Sequence, residues 1–349
     1  MQVNHLAKPK ESNFSELCCV NLPFPASTIF DRASHAFDET ALSVFRFQYA
    51  NNVLYRKFAD SFSKNPETVI NIHHIPFLPV EFFKTHNVYC AQSDPQITFT
   101  SSGTTGMVTS KHPVADINLY QQSFLRGFTE AYGNPSDYIF LFLLPSYLER
   151  EGSSLVYMAE ELKRVSASNE SQFYLHDYSR LAEQLTQLKN NSHGKKVMIL
   201  GVTYALLDLA EQFPQHIPDF IIAETGGMKG KRKEITRDEL HRTLTQAFGV
   251  TNIHSEYGMT ELLSQAWSKG DGIFNCPPWM KIITRETNDP LTLTANGKTG
   301  GVNIIDLANV YSCSFISTSD LGKVHADGSF EILGRFDFSD TRGCNLLAE

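Results

Sequence analysis

No two of the six cysteines form a C-x-x-C pair, and no histidines stand at zinc-ligand spacing beside them. That excludes the common zinc modules and a disulfide framework, and it fits a reducing cytoplasm. There is no run of 18 apolar residues and no signal-like N-terminal stretch, so neither a membrane span nor secretion is expected. Long Lys/Arg runs are also missing. The longest basic cluster is Lys229-Gly230-Lys231-Arg232-Lys233, and the net charge is -8, which argues against nucleic acid as a partner. No G-x-x-x-x-G-K-[ST] loop occurs, and no internal repeat or low-complexity segment stands out.

What remains is a chain of 349 residues with ordinary hydrophobic content, long enough for two or three structural units. Residues 38–63 carry Ala41, Leu42, Phe45, Tyr49, Val53, Phe58 and Phe62 close to helical spacing and predict one helix, ended by Pro66. From residue 96 strands and helices alternate. Strand-like segments at 96–99, 138–144, 173–176, 197–200 and 220–223 are separated by helical patterns at 115–131, 153–165, 178–188, 204–212 and 237–248. This alternation predicts an α/β core with largely parallel strands. After about residue 270 the helical patterns stop, and strands at 280–284, 301–307, 314–318 and 329–333 predict a smaller β unit.

The most informative stretch lies between the first strand of that series and its helix. It is Thr100, Ser101, Ser102, Gly103, Thr104, Thr105 and Gly106, with Lys111 five residues on. Small residues let backbone wrap a ligand closely, and such a loop's N–H groups and hydroxyls suit a polyphosphate. A flexible surface turn is the plain alternative. Gly226-Gly227 ends a strand, where open α/β sheets bind ligands, although a Gly pair is also ordinary turn chemistry. In Tyr257-Gly258-Met259-Thr260-Glu261 an aromatic can stack on a base, Thr260 can bond a phosphate and Glu261 can hold Mg²⁺. The same five residues also suit a loop entering a helix at Leu262. Ser319-Asp320-Leu321-Gly322 and Gly334-Arg335-Phe336-Asp337 each follow a strand. Asp320 suits a ribose diol and Arg335 a ribose or phosphate; both also suit turns.

Taken together and in this order, these motifs resemble the adenylate-forming superfamily of acyl-CoA synthetases, peptide-synthetase adenylation domains and beetle luciferases. The similarity runs from about residue 96 to 343. Within it the chain is most similar to the acyl-protein synthetase of bacterial bioluminescence, the ligase of the fatty-acid reductase. That likeness rests on residues 44–49 (V-F-R-F-Q-Y), on 75–86, on P-S-Y-L-E-R at 145–150 with Ser153-Ser154-Leu155, and on the ending R-G-C-N-L-L.

The resemblance implies an α/β large-domain fold with mixed sheets flanked by helices and a smaller β unit, the C-terminal lid domain reduced to a short tail. Residues 1–95 would be a helical region packed on the core, 96–333 the adenylating core, and 334–349 a hinge-like segment and tail. It implies that ATP and a carboxylic acid give an acyl-adenylate and pyrophosphate. Thr100 to Gly106 and Lys111 would wrap the phosphates. Gly226 and Gly227 would border the adenine, with Tyr257 on its face. Thr260 would contact the α-phosphate and Glu261 would bind Mg²⁺. Asp320 would hold the ribose hydroxyls, and Arg335 would reach the ribose or phosphate side.

Full-length relatives carry a catalytic Lys beyond the G-R-x-D hinge, which this chain lacks; Lys111, Lys229 and Lys231 are candidate substitutes. By the same likeness Cys344, beside Arg342, accepts the acyl group and passes it to a protein partner such as a reductase or carrier protein. The apolar stretch 138–147 and the 25 phenylalanines suit an apolar acid, although Phe mostly builds cores, and the resemblance implies a fatty acid. Two rivals stand beside this expectation. One is a ligase that hands the acyl group to a separate carrier or small molecule. The other is a non-catalytic nucleotide- or acyl-binding subunit.

Overall fold

The computed structural model describes residues 21–91, 93–101, 108–145, 152–228, 231–233 and 235–336. Ser102, Gly103, Thr104, Thr105, Gly106, Lys229, Arg342 and Cys344 therefore lie outside the described residues.

The N-terminal region is helical: α1 (Ile29–His35), α2 (Phe37–Asn51) and α3 (Val53–Ser61). The single helix expected over 38–63 is thus two, broken at Asn52. The break has a local cause. The Asn52 side chain accepts from Tyr55 N at 3.0 Å as the N-cap of α3, and its amide donates to Ser312 O at 3.1 Å. A buried cap with a long-range partner outweighs the continuous apolar stripe. One turn earlier, Gln48 reaches the same segment, donating to Val310 O at 2.9 Å and accepting from Ser314 N at 3.0 Å. These bonds fasten the helical region to the core. A short strand β1 (Leu78–Pro79) and the one-turn helix α4 (Phe82–Thr85) lead away from it.

Next comes the antiparallel pair β2 (Ile97–Thr100) and β3 (Lys111–Val114), then helix α5 (Ile117–Tyr132). The α/β series follows as β4 (Tyr138–Leu143), α6 (Ser154–Ser166), β5 (Gln172–Tyr174), α7 (Tyr178–Asn190), β6 (Lys196–Val202), α8 (Thr203–Gln212), β7 (Ile221–Thr225), α9 (Arg237–Phe248) and β8 (His254–Tyr257). Strands β5, β4, β6, β7 and β8 are parallel neighbours in that order. Every residue of β4 is buried, as its unbroken apolar sequence requires of a strand covered on both faces.

Six antiparallel strands complete the chain: β9 (Ala266–Ser268), β10 (Ile273–Asn275), β11 (Met280–Arg285), β12 (Thr299–Asp306), β13 (Phe315–Val324) and β14 (Phe330–Arg335). They continue the parallel half in one twelve-stranded sheet, β8 pairing β9, β10 pairing β14, and β1 lying parallel to β13. Two local expectations change here. Ser319 to Gly322 do not follow a strand but lie inside β13, with Asp320 paired directly to Arg335. Residues 260–262 do not open a helix; they form a turn between β8 and β9, with Leu262 N bonded to Met259 O at 3.1 Å. The mixed α/β architecture expected from the residues is the one observed.

Candidate active site

The turn at the end of β7 carries Gly226 at φ 74° and Gly227 at φ 67°. Two consecutive left-handed positions favour glycine, and a Cβ on Gly227 would meet nothing within 4 Å. Backbone there is open to a flat ligand. The next strand, β8, ends in Tyr257. Its hydroxyl donates to Asp320 Oδ2 at 2.8 Å, and Arg335 Nε donates to Asp320 Oδ1 at 2.9 Å. Burial and the Asp320 carboxylate push the Tyr257 phenol well above its ordinary pKa, so it stays a donor. Asp320 is 6% exposed, its oxygens held from both sides.

Thr260 and Glu261 are held through their backbones. His112, on β3 and fully buried, has Nδ1 2.8 Å from Thr260 O and Nε2 2.9 Å from Asn309 Oδ1. Asn309 in turn donates to Glu261 O at 2.7 Å. Asp306 accepts from Leu263 N at 2.7 Å and from Ser264 N at 3.0 Å just beyond. A turn without regular structure is thereby fixed from three directions.

The Glu261 carboxyl is 6% exposed, and burial raises its pKa, while Ser110, Lys84 and Arg335 pull it back. A carboxylate desolvated in this way gains from a cation. Among the described residues no three His, Cys, Asp or Glu side chains gather as a metal site. One carboxylate of this kind matches Mg²⁺ that completes its shell with phosphate oxygens and water.

The hydroxyl-rich loop leaves and returns through Ser101 and Ser110. Ser101 N bonds Ser110 O at 3.1 Å, and Ser110 N bonds Ser101 Oγ at 2.8 Å. Ser110 is also the residue that hydrogen-bonds Glu261, so the base of the loop is tied to the T-E pair.

The glycine pair, the Tyr257–Asp320–Arg335 trio, Thr260, Glu261 and the base of the hydroxyl-rich loop face one cleft of about 620 Å³, within the roughly 300–1,000 Å³ usual for small-ligand sites. Thr100, Ser101, Gly226, Gly227, Tyr257, Thr260, Glu261, Asp320 and Arg335 line it together. Lys111 is not among the lining residues; it is exposed on β3, opposite Thr100. Residues 138–144 do not line it either, since β4 is enclosed in the sheet.

Several lining residues were not singled out from the sequence as site residues, although Leu155 and Lys84 lie in stretches that carry the resemblance. Tyr120, Leu155 and Met158 form an apolar wall beside Glu256, whose carboxylate accepts from Thr225 Oγ1 at 2.5 Å. Lys84 enters from α4. Glu256 immediately precedes Tyr257, so strand alternation gave no reason to place both in one cleft. Nothing in the local pattern marked Lys84.

The fold is similar to that of solved acid-activating ligases. The structure of ATP-bound MatB from Rhodopseudomonas palustris superimposes with a TM-score of 0.51 at 16% identity, over 68% of this chain and 47% of that one. A structure of 2-hydroxyisobutyryl-CoA ligase with 2-HIB-AMP and CoA reaches 0.62 at 14% identity, over 94% of this chain and 76% of that one. The chain spans about half the length of the first of these, and at such identities the likeness concerns the fold. More particularly, residues 2–133 match the family model described as "Acyl-protein synthetase, LuxE". No curated protein sequence matches the chain.

Proposed function

We propose that this chain is an AMP-forming acid ligase of the acyl-protein synthetase type. The observation that carries the reading is the convergence of Gly226-Gly227, Tyr257, Thr260-Glu261, Asp320 and Arg335 on one cleft at the carboxyl ends of β7 and β8. In this reading ATP lies with adenine over the glycine pair and against Tyr257, its ribose hydroxyls on Asp320. The 100–106 loop encloses the β- and γ-phosphates, and Thr260 bonds the α-phosphate.

Glu261 would hold Mg²⁺, which supplies charge neutralisation at the phosphates. A carboxylate oxygen of the acid attacks the α-phosphorus, the bond between the α-phosphorus and the α,β-bridging oxygen breaks, and pyrophosphate leaves with that electron pair. No proton is transferred. The protein's work is alignment of two anions and preorganised donors, which is where rate enhancement of this kind arises. Leu155, Met158 and Tyr120 supply an apolar wall for the acid, in keeping with a fatty substrate.

Cys344 is the acyl acceptor in this reading. Its thiolate attacks the acyl carbonyl carbon, the bond to the adenylate oxygen breaks, AMP leaves, and the acyl group passes on to a protein partner. The described cysteines are poor rivals. Burial pushes Cys276 and Cys313 up to about 12, and raises Cys90 as well.

Intact-protein mass after incubation with ATP, Mg²⁺ and a panel of fatty and aryl acids tests this. An acyl-sized, hydroxylamine-labile gain that disappears in Cys344→Ser supports it. Pyrophosphate release without labelling would assign the acyl group to a separate acceptor instead.

A further inference from the structure

We infer that Lys84 is a catalytic residue of the acid-activating step, its ammonium contacting the ATP phosphate oxygens beside Glu261. This rests on the adenylation reading above. The cleft has a charge problem that its described walls make explicit. Glu81, Glu256, Glu261 and Asp320 bring four carboxylates to it, and a polyphosphate and a carboxylate substrate would add more negative charge. Among the described lining residues only Lys84 and Arg335 are cationic. Arg335 is already engaged, with Nε on Asp320 at 2.9 Å. The loop at 102–107 contains no Lys or Arg in its sequence. Among the described residues of the wall, Lys84 is the cation not already engaged by a carboxylate.

Its position is built rather than incidental. Lys84 N bonds Glu81 O at 3.0 Å, closing the turn of α4. The neighbouring Phe83 is 1% exposed, and its ring meets His112 edge-on at 5.5 Å between centroids. His112 is the residue that bonds Thr260 O. The helix bearing Lys84 is thus packed on the same histidine that fixes the T-E turn, which sets the lysine in register with Thr260 and Glu261. Lys84 and Glu261 line the same cleft. Lys84 makes no ion pair among the described residues, so its charge is available to a ligand.

The test is acid-dependent exchange of labelled pyrophosphate into ATP by the full chain, comparing wild type with Lys84→Met, Lys84→Arg and Lys111→Met. Removing one preorganised charge at a developing transition state costs about 10²–10³ in kcat. Lys84→Met is expected to lose that much in kcat, with a smaller change in the KM for the acid. Lys84→Arg is expected to recover at least a tenth of wild-type exchange. Because Lys84 is exposed, thermal melting should be unchanged in both variants. Exchange by Lys84→Met within threefold of wild type overturns the inference, as does a loss seen in Lys111→Met but not in Lys84→Met. In either case the adenylation reading stands. If wild type exchanges with no acid, that reading falls and Lys84 falls with it.

Discussion

Glu261 and His112 show how burial sets the chemistry of single residues here. Glu261 is desolvated without a full set of protein partners, so its carboxylate should depend on an added cation. Glu261→Gln keeps the shape and removes the charge. Exchange activity should fall at least about 100-fold, and the Mg²⁺ concentration for half-maximal rate should rise.

Tyr257 and Asp320 form a hydrogen-bonded pair, and in the proposed function its loss should act on nucleotide binding rather than on chemistry. Tyr257→Phe leaves Asp320 short of one donor, worth about 1–1.5 kcal/mol. A rise of roughly tenfold in the KM for ATP, with kcat nearly unchanged, is the expected result.

His112 carries a pH dependence of stability. Burial holds it down to about 4, against an ordinary value of 6.5. Between those pH values the unfolded chain binds more protons than the folded one, so stability rises with pH across the window and is lost as pH falls from 6.5 towards 4. The full effect is roughly 3 kcal/mol. Asp306, raised to about 6 by burial, acts with the opposite sign, so the comparison must be with a variant. The stability difference between wild type and His112→Asn, from urea unfolding at pH 7.5 and 5, should shift against wild type at the lower pH.

At the scale of elements, the break between α2 and α3 follows from one side chain. Asn52→Ala removes both the cap and the bond to Ser312 O, and it should destabilise the protein by about 1–3 kcal/mol in denaturant titration. The apolar spacing of residues 41–62 gave no sign of this, because a helical stripe does not reveal that an Asn will find a partner some 260 residues away. Elsewhere the elements were legible. The α/β alternation read between residues 96 and 248 is observed in order, and α9 spans the residues its pattern predicted.

The elements that were misplaced are those whose structure is long-range. Asp320 was read as following a strand, since Ser-Asp and Leu-Gly resemble turn chemistry. In the fold, pairing with β14 extends β13 through them. Local propensity yields there to a ladder supplied by the last strand.

Across the whole molecule, the site's composition was readable while its assembly was not. Nine of the residues singled out from sequence share one cleft: five lie at the carboxyl ends of the parallel strands β7 and β8, while antiparallel pairs bring Thr100, Ser101, Asp320 and Arg335 to it. The apolar wall from α5 and α6, Glu256 on β8, and Lys84 from α4 became visible only once the chain was folded. Each sits in a segment whose own pattern is fully explained by packing. The apolar stretch 138–147 was read as the acid's environment for the same reason. Its segment 138–144 is core instead, and an apolar run cannot declare whether it faces a ligand or a neighbouring strand.

The central claim is that this cleft adenylates a carboxylic acid. Acid- and Mg²⁺-dependent exchange of labelled pyrophosphate into ATP measures that reaction directly, independent of any acyl acceptor. The account predicts exchange with at least one apolar acid, lost in Glu261→Gln and retained in Cys344→Ser. Binding of ATP without exchange, across the whole panel of acids, would contradict it.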